Sequence, residues 1–229
     1  MSIKPVPVIT IDGPSGAGKG TIAQQLARDL GFYILDSGSL YRLTALASQN
    51  DGVSVDDEAA LAAIALNLDV VFKPGSDSGD GGLRILLRGE DVSEAIRLEA
   101  MGMRASKIAA VVPVREALLQ RQRDFSVAPG LVADGRDMGT TVFPQAVLKV
   151  FMTASPEERA ERRLKQLKEK GINANIAALV TDLKLRDEQD ANRAVSPLKP
   201  ADDAVLLDTT QMSIQDVSRK VLDMARQRL

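Results

Sequence analysis

The 229-residue chain has no cysteine and no histidine. Without cysteine there is no disulfide framework, no thiolate nucleophile and no thiolate-held zinc or iron–sulfur site. Without histidine, a Ser-His-Asp triad, an imidazole-bound metal and a phosphohistidine intermediate are all excluded. There is no basic excess either: 29 Lys and Arg stand against 31 Asp and Glu, a net charge of −2. A protein that grips nucleic acid by neutralising phosphates carries such an excess, so nucleic acid is not an expected partner and anion binding must be local. No apolar run approaches the ~18 residues of a membrane-spanning helix, and residues 1–10 lack the apolar core of a signal peptide. The expectation is a cytoplasmic chain with no membrane partner. The chemistry left must run on carboxylates, Lys, Arg, hydroxyls, backbone N–H groups and a hard cation. Phosphoryl transfer is the common reaction that needs only those parts.

What is present, 45% hydrophobic and 26% charged residues, fits a soluble globular chain with a substantial core. Val6–Ile11 reads as a buried strand and Asp12–Gly18 as a Gly-rich turn. Lys19–Leu30 reads as a helix, with Ile22, Leu26 and Leu30 at helical spacing and Gly31 as its C-cap. Phe32–Leu35 is a second strand, so the opening is βαβ and argues for a parallel sheet. Gly38–Ser48 reads as helical, and Ser54-x-x-Asp57 resembles a capping box before a helix over Ala59–Leu66. Leu68–Phe72 and Leu83–Leu87 read as strands around Gly75–Gly82, a hairpin loop with no apolar residue. That hairpin interrupts the βα rhythm and predicts an inserted antiparallel subdomain over roughly residues 65–105.

Helical patterns return across Leu98–Ala110 and Val114–Phe125, and Leu131–Ala133 and Val147–Met152 are the third and fourth strands. Ser155-Pro-Glu-Glu158 supplies an N-cap, a proline at N1 and a glutamate at N3 for a helix that runs to about Lys170. A further helix spans about Asn175 to Asp190, Val205–Leu207 is a fifth strand, and Ser213-x-x-Asp216 opens a terminal helix.

Gly13-Pro14-Ser15-Gly16-Ala17-Gly18-Lys19-Gly20-Thr21 follows a strand and opens a helix. In that context backbone N–H groups converge, the helix dipole adds positive potential, and Lys19 supplies a point charge for the β- and γ-phosphates of ATP. The general phosphate-loop pattern has Ser or Thr directly after the Lys. Here Gly20 intervenes and Thr21 follows, a form that resembles nucleoside monophosphate kinases. If the acceptor is itself a phosphate, no general base is needed, and arginines suit the work of positioning and neutralisation.

Ile11-Asp-Gly-Pro-Ser-Gly-Ala-Gly-Lys-Gly-Thr21, Leu35-Asp-Ser-Gly38 with Tyr41-Arg42, Ala133-Asp-Gly-Arg-Asp-Met-Gly139, and Arg186-Asp187 with Asp190-x-Asn-Arg-Ala-Val195 together resemble the bacterial cytidylate kinase family, essentially end to end. The resemblance implies an α/β fold: a P-loop kinase core with a five-stranded parallel sheet flanked by helices, an inserted antiparallel hairpin subdomain, and a helical lid. The core is expected at approximately 1–37, 127–154 and 201–229, a CMP-binding domain with the insert at 38–126, and the lid at 155–200. The implied reaction is ATP with CMP or dCMP, giving ADP with CDP or dCDP, by direct in-line transfer with Mg2+.

The resemblance also implies roles. Ser37 and Arg42, with Tyr41 beside them, hold the CMP phosphate, and Arg136 and Arg193 contact phosphate. Arg186 and Asp190 take the ribose hydroxyls. Cytosine shows an N4 amino donor beside the N3 and O2 acceptors, which matches Asp137 as acceptor, Arg115 as donor and Ser106 on either edge. Asp134 and Thr21 are assigned to the metal shell. At i, i+4 and i+7, Arg186, Asp190 and Arg193 are expected on one helical face. Arg159, Arg162 and Arg163 are the candidates to close over ATP, Arg162 among the catalytic set with Lys19, Arg136 and Arg193. A monomer is expected. A kinase for UMP or AMP would need a different base-reading set, and an ATP-binding protein without turnover would need damage in the catalytic set.

Overall fold

The structure, a computed structural model, describes residues 5–74, 83–169 and 171–229. The predicted Gly75–Gly82 loop and Lys170 lie outside the described residues. The chain forms two compact units, one from residues up to Asp36 and from Gln122 onward, the other from Ser37–Arg121.

The first unit holds a five-stranded parallel sheet built from β1 (Val8–Asp12), β2 (Tyr33–Asp36), β6 (Leu131–Gly135), β7 (Leu148–Thr153) and β8 (Val205–Asp208), in the order β2-β6-β1-β7-β8. The three inner strands are buried along almost their whole length, which is why they read as continuous apolar runs and not as alternations. Lys149 is the exception inside β7, and its ammonium reaches Asp203 at 2.8 Å. Helices α1 (Lys19–Leu30) and α8 (Ile214–Arg226) cover one core, where Ile22, Ala23 and Leu26 of α1 and Val217, Val221 and Ala225 of α8 meet Ile9, Ile11, Val132 and Val150. Helices α6 (Pro156–Glu169) and α7 (Ile176–Ala191) pack on each other.

Local capping follows the sequence at three of these starts. The Ser155 hydroxyl accepts from the Glu158 N–H at 3.2 Å, the Asn175 side chain from Ala177 and Ala178, and Ser213 from Asp216. One expected cap is corrected. Helix α3 (Glu58–Leu66) is capped by Asp57, whose carboxylate accepts from the Ala60 N–H at 3.0 Å, whereas Ser54 serves the turn before it through Asp56.

The second unit centres on α2 (Ser37–Asn50), buried on nearly every face, with α3, α4 (Glu99–Ile108) and α5 (Val112–Arg123). The expected hairpin is present as a three-stranded antiparallel sheet of β3 (Val70–Pro74), β4 (Leu83–Leu87) and the two-residue β5 (Glu90–Asp91). The β4–β5 turn places Arg88 and Gly89 at φ 51° and 84°, the pair of positive values a tight primed turn needs. Arg88 is held there by a two-pronged pair with Asp51 at 2.6 and 2.7 Å.

Candidate active site

The phosphate loop is the connection from β1 to α1. A Cβ on Gly13 would stand 2.0 Å from the Met152 carbonyl oxygen, so only glycine lets the chain leave β1 against β7. Gly18 caps α1 in the left-handed region at φ 90°. Lys19 is buried, with its ammonium donating to the Pro14 carbonyl at 2.9 Å across the loop and lying 3.9 Å from Asp134 Oδ1.

Three carboxylates end neighbouring strands, since Asp36 of β2 pairs in register with Asp134 of β6, and Asp134 with Ile11, next to Asp12. Burial pushes the Asp134 carboxyl up, against the pull of Lys19 and Arg136. Burial and the nearby Arg136 guanidinium draw the Lys19 ammonium down, against Asp134. Asp12 is pushed up to about 6 by burial, although the Gly139 and Met138 N–H groups favour its charged form. Gly20 explains itself here: a Cβ would sit 3.3 Å from Asp134 Oδ2, so a side chain directly after Lys19 would crowd that carboxylate. Thr21 lies one residue further on, exposed in the first turn of α1. Among the described residues no cluster of three acidic groups forms a protein-only metal cage. Asp134 and the Thr21 hydroxyl are hard oxygen donors, the set that fits a cation held by few protein ligands and completed by substrate phosphates.

An arginine cluster stands on Asp190. That carboxylate is 1% exposed; its Oδ2 accepts from Arg136 Nε at 3.0 Å and its Oδ1 pairs with Arg193 Nη2. Burial raises its pKa, but Arg136 and Arg193, with a smaller pull from Arg186, outweigh burial and hold it below the usual carboxylate range. The expected single helical stripe is corrected: α7 ends at Ala191 with Asn192 as its C-cap, so Arg193 lies beyond the helix and meets Asp190 by a local turn.

Arg159, one of the three expected lid arginines, is held in place. It is 2% exposed, and its guanidinium is committed to the Ala154 and Ser15 carbonyls at 3.0 and 2.9 Å and to Asp187 of α7. It braces the phosphate loop from α6. Arg162 lies beside the loop, its Nη2 on the Thr209 carbonyl at 2.8 Å and its Nε on Glu158 at 2.9 Å. Its Nη1 also faces the Ala17 carbonyl at 3.5 Å. Arg163 is half-buried on the same helix.

Ser37, Tyr41, Arg42, Ser106 and Arg115 belong to the second unit. Arg42 donates to the Ile96 carbonyl at 2.7 Å, and Arg115 to that of Ala109 at 3.1 Å. The Arg115 guanidinium also lies 5.8 Å from the Tyr41 ring centre, a cation–π contact that gives Tyr41 a structural reason to be aromatic. Ser37 and Ser106 are both buried. In the first unit the fold thus brings Lys19, Asp134, Arg136, Asp190 and Arg193 into one charged group, with Asp137 buried next to Arg136 in sequence. Asp12 carries no local signal of its own in the sequence, because its partners, the Met138 and Gly139 N–H groups, lie far along the chain.

The chain matches the family model for cytidylate kinase over residues 9–227. The cytidylate kinase of Stutzerimonas stutzeri (strain A1501) is 58% identical over 220 residues, 96% of this chain and 95% of that protein. That of Aeromonas hydrophila subsp. hydrophila is 56% identical over 223 residues, 97% and 95% of the two chains. That of Colwellia psychrerythraea is 56% identical over 223 residues, 97% of each.

Proposed function

The chain belongs to the cytidylate kinase family, and we propose that it moves the γ-phosphoryl group of ATP directly to the phosphate of CMP or dCMP. The observation that carries this reading is the gathering of like charges: Arg136 stands close enough to Lys19 to depress its pKa, and Asp190 holds Arg136 and Arg193 together. Cations held beside one another repel, and a polyphosphate bound among them relieves that cost. Because the donors are fixed before substrate arrives, little reorganisation is needed as charge spreads over the transferring group.

In this reading the N–H groups of residues 13–21 and the Lys19 ammonium bind the ATP phosphates. Arg136 and Arg193 bind the phosphate that accepts, and Ser37 and Arg42 are assigned to the same phosphate. Residues 155–200 act as a lid, and Arg162, whose guanidinium lies beside the phosphate loop, is assigned to the catalytic set. Asp190 organises its two arginines and, with Arg186, meets the ribose. Asp137 accepts from cytosine N4, Arg115 donates to N3 and O2, and Ser106 joins either edge. Asp134 and Thr21 would hold Mg2+, which when bound neutralises charge on the ATP phosphates. No general base is required, because the acceptor oxygen is ionised already. A monomer suffices, since every assigned residue comes from one chain, and the cytoplasm supplies both nucleotides.

The test is ADP release with ATP and Mg2+, run separately with CMP, dCMP, UMP and AMP. Strong turnover with CMP and dCMP alone is expected. Preference for UMP or AMP would overturn the base assignment, and no turnover with any acceptor would overturn the activity.

A further inference from the structure

Asp12 is the last residue of β1 and the last before the phosphate loop, and none of the roles above uses it. Its carboxylate is buried, yet both oxygens are committed. Oδ1 accepts from the Met138 N–H at 2.9 Å and Oδ2 from the Gly139 N–H at 2.8 Å. Those two N–H groups open a π-helical turn over Met138–Val142, whose N-cap is Asp137. The first N–H groups of any helical turn find no partner within it, and bonds to a carboxylate are the stronger, charge-assisted kind. The turn closes on the other side through the Asp137 carbonyl, which accepts from the Thr141 and Val142 N–H groups at 2.9 and 3.2 Å. The backbone of Asp137 is therefore fixed from both directions. Gly139 is part of the device, because a Cβ there would stand 2.9 Å from Thr10 Oγ1 and 3.3 Å from Asp12 Oδ2. A side chain would hold the N–H off the carboxylate.

We infer that Asp12 is a specificity-determining positioning residue, whose two hydrogen bonds set the turn that presents Asp137 to the cytosine amino group. The inference rests on the proposed base-reading role of Asp137. The rival role for Asp12 is simple support of the phosphate loop that follows it, and the two roles separate by substrate. Support of the loop serves ATP. Support of the turn serves the base of the acceptor.

The experiment is steady-state kinetics of Asp12→Asn, Gly139→Ala and Asp137→Asn with ATP, CMP and UMP. In Asp12→Asn an amide NH2 faces one of the two N–H donors, so one bond is lost without change of size. The expected result is a KM for CMP raised about tenfold, the scale of one lost charge-assisted bond. The KM for ATP should stay within about twofold, and the preference for CMP over UMP should shrink. Gly139→Ala should show the same acceptor-selective pattern, and it decides the matter if Asp12→Asn does not fold. Equal rises in both KM values, a fall in kcat alone, or an unchanged preference in both variants would overturn the inference. Asp137→Asn separates the two levels. If it relaxes the CMP preference while the other two variants do not, the inference alone fails. If it leaves the preference intact, the base-reading role fails and the inference with it.

Discussion

The Arg159 guanidinium donates to the Ser15 carbonyl oxygen at 2.9 Å, tying the first turn of α6 to the middle of the phosphate loop. A Cβ on Gly16 would lie 3.3 Å from the Arg159 Cβ, so the loop passes close to the base of that side chain as well. Replacement by Met keeps the stem and removes five donors. Arg159→Met should cost about 3 kcal/mol, because two carbonyls and Asp187 lose a buried partner. Urea unfolding would measure this, and the KM for ATP should rise with the KM for CMP little changed.

The role proposed for Lys19 is to place its charge where the ATP phosphates bind. Lys19→Ala should lower kcat by roughly a thousandfold with the circular dichroism spectrum retained. Normal turnover in that variant would remove Lys19 from the transfer step.

Asp190 holds two guanidiniums with one buried carboxylate. Asp190→Asn should reduce kcat/KM for CMP by roughly a hundredfold and destabilise the chain by about 3 kcal/mol, since Arg136 and Arg193 lose their counter-charge. Its depressed pKa means that the stabilisation it gives is full above the ordinary carboxylate value and is lost as pH falls through the folded value. The Asn variant should therefore be less sensitive to acid unfolding than the wild type.

Asp12 has the opposite sign. Its carboxyl titrates at about 6 in the folded chain against the ordinary 3.8, so the folded state binds a proton that the unfolded state has released. Relative to Asp12→Asn, the wild type should be most stable below about pH 4 and lose about 3 kcal/mol as pH rises through 6. Paired urea midpoints across that window would show the slope, and a flat difference would contradict it.

Thr10 is wholly buried in β1, and its hydroxyl has no hydrogen-bond partner among the described residues. Thr10→Val keeps the shape and removes an unsatisfied group, so it should be neutral or stabilising by about 1 kcal/mol. Thermal unfolding would detect a loss of that size, which would reveal a partner for the hydroxyl.

Features that depend on neighbours in the chain were legible. Ser155 before Pro156, Asn175 before Ile176 and Ser213 before Ile214 announce helix starts because a cap bonds only two or three residues ahead. Even so, Ser54 and Asp57 were close enough to compete for one cap, and pattern alone favoured the wrong one. Arg193 fell in helical step with Arg186 and Asp190 although the helix stops at Ala191, since periodicity does not mark where a helix ends.

The sequence by itself determined the phosphate loop, its lysine and the parallel sheet that carries them, because a Gly-rich turn between a buried strand and a helix is written in contiguous residues. Only the tertiary structure decided what the buried charges do. Asp12 meets N–H groups 126 and 127 positions away, Arg159 a carbonyl 144 positions away, and Asp190 an arginine 54 positions away. A buried charge must find a partner wherever the fold supplies one, and that choice leaves no local pattern to read.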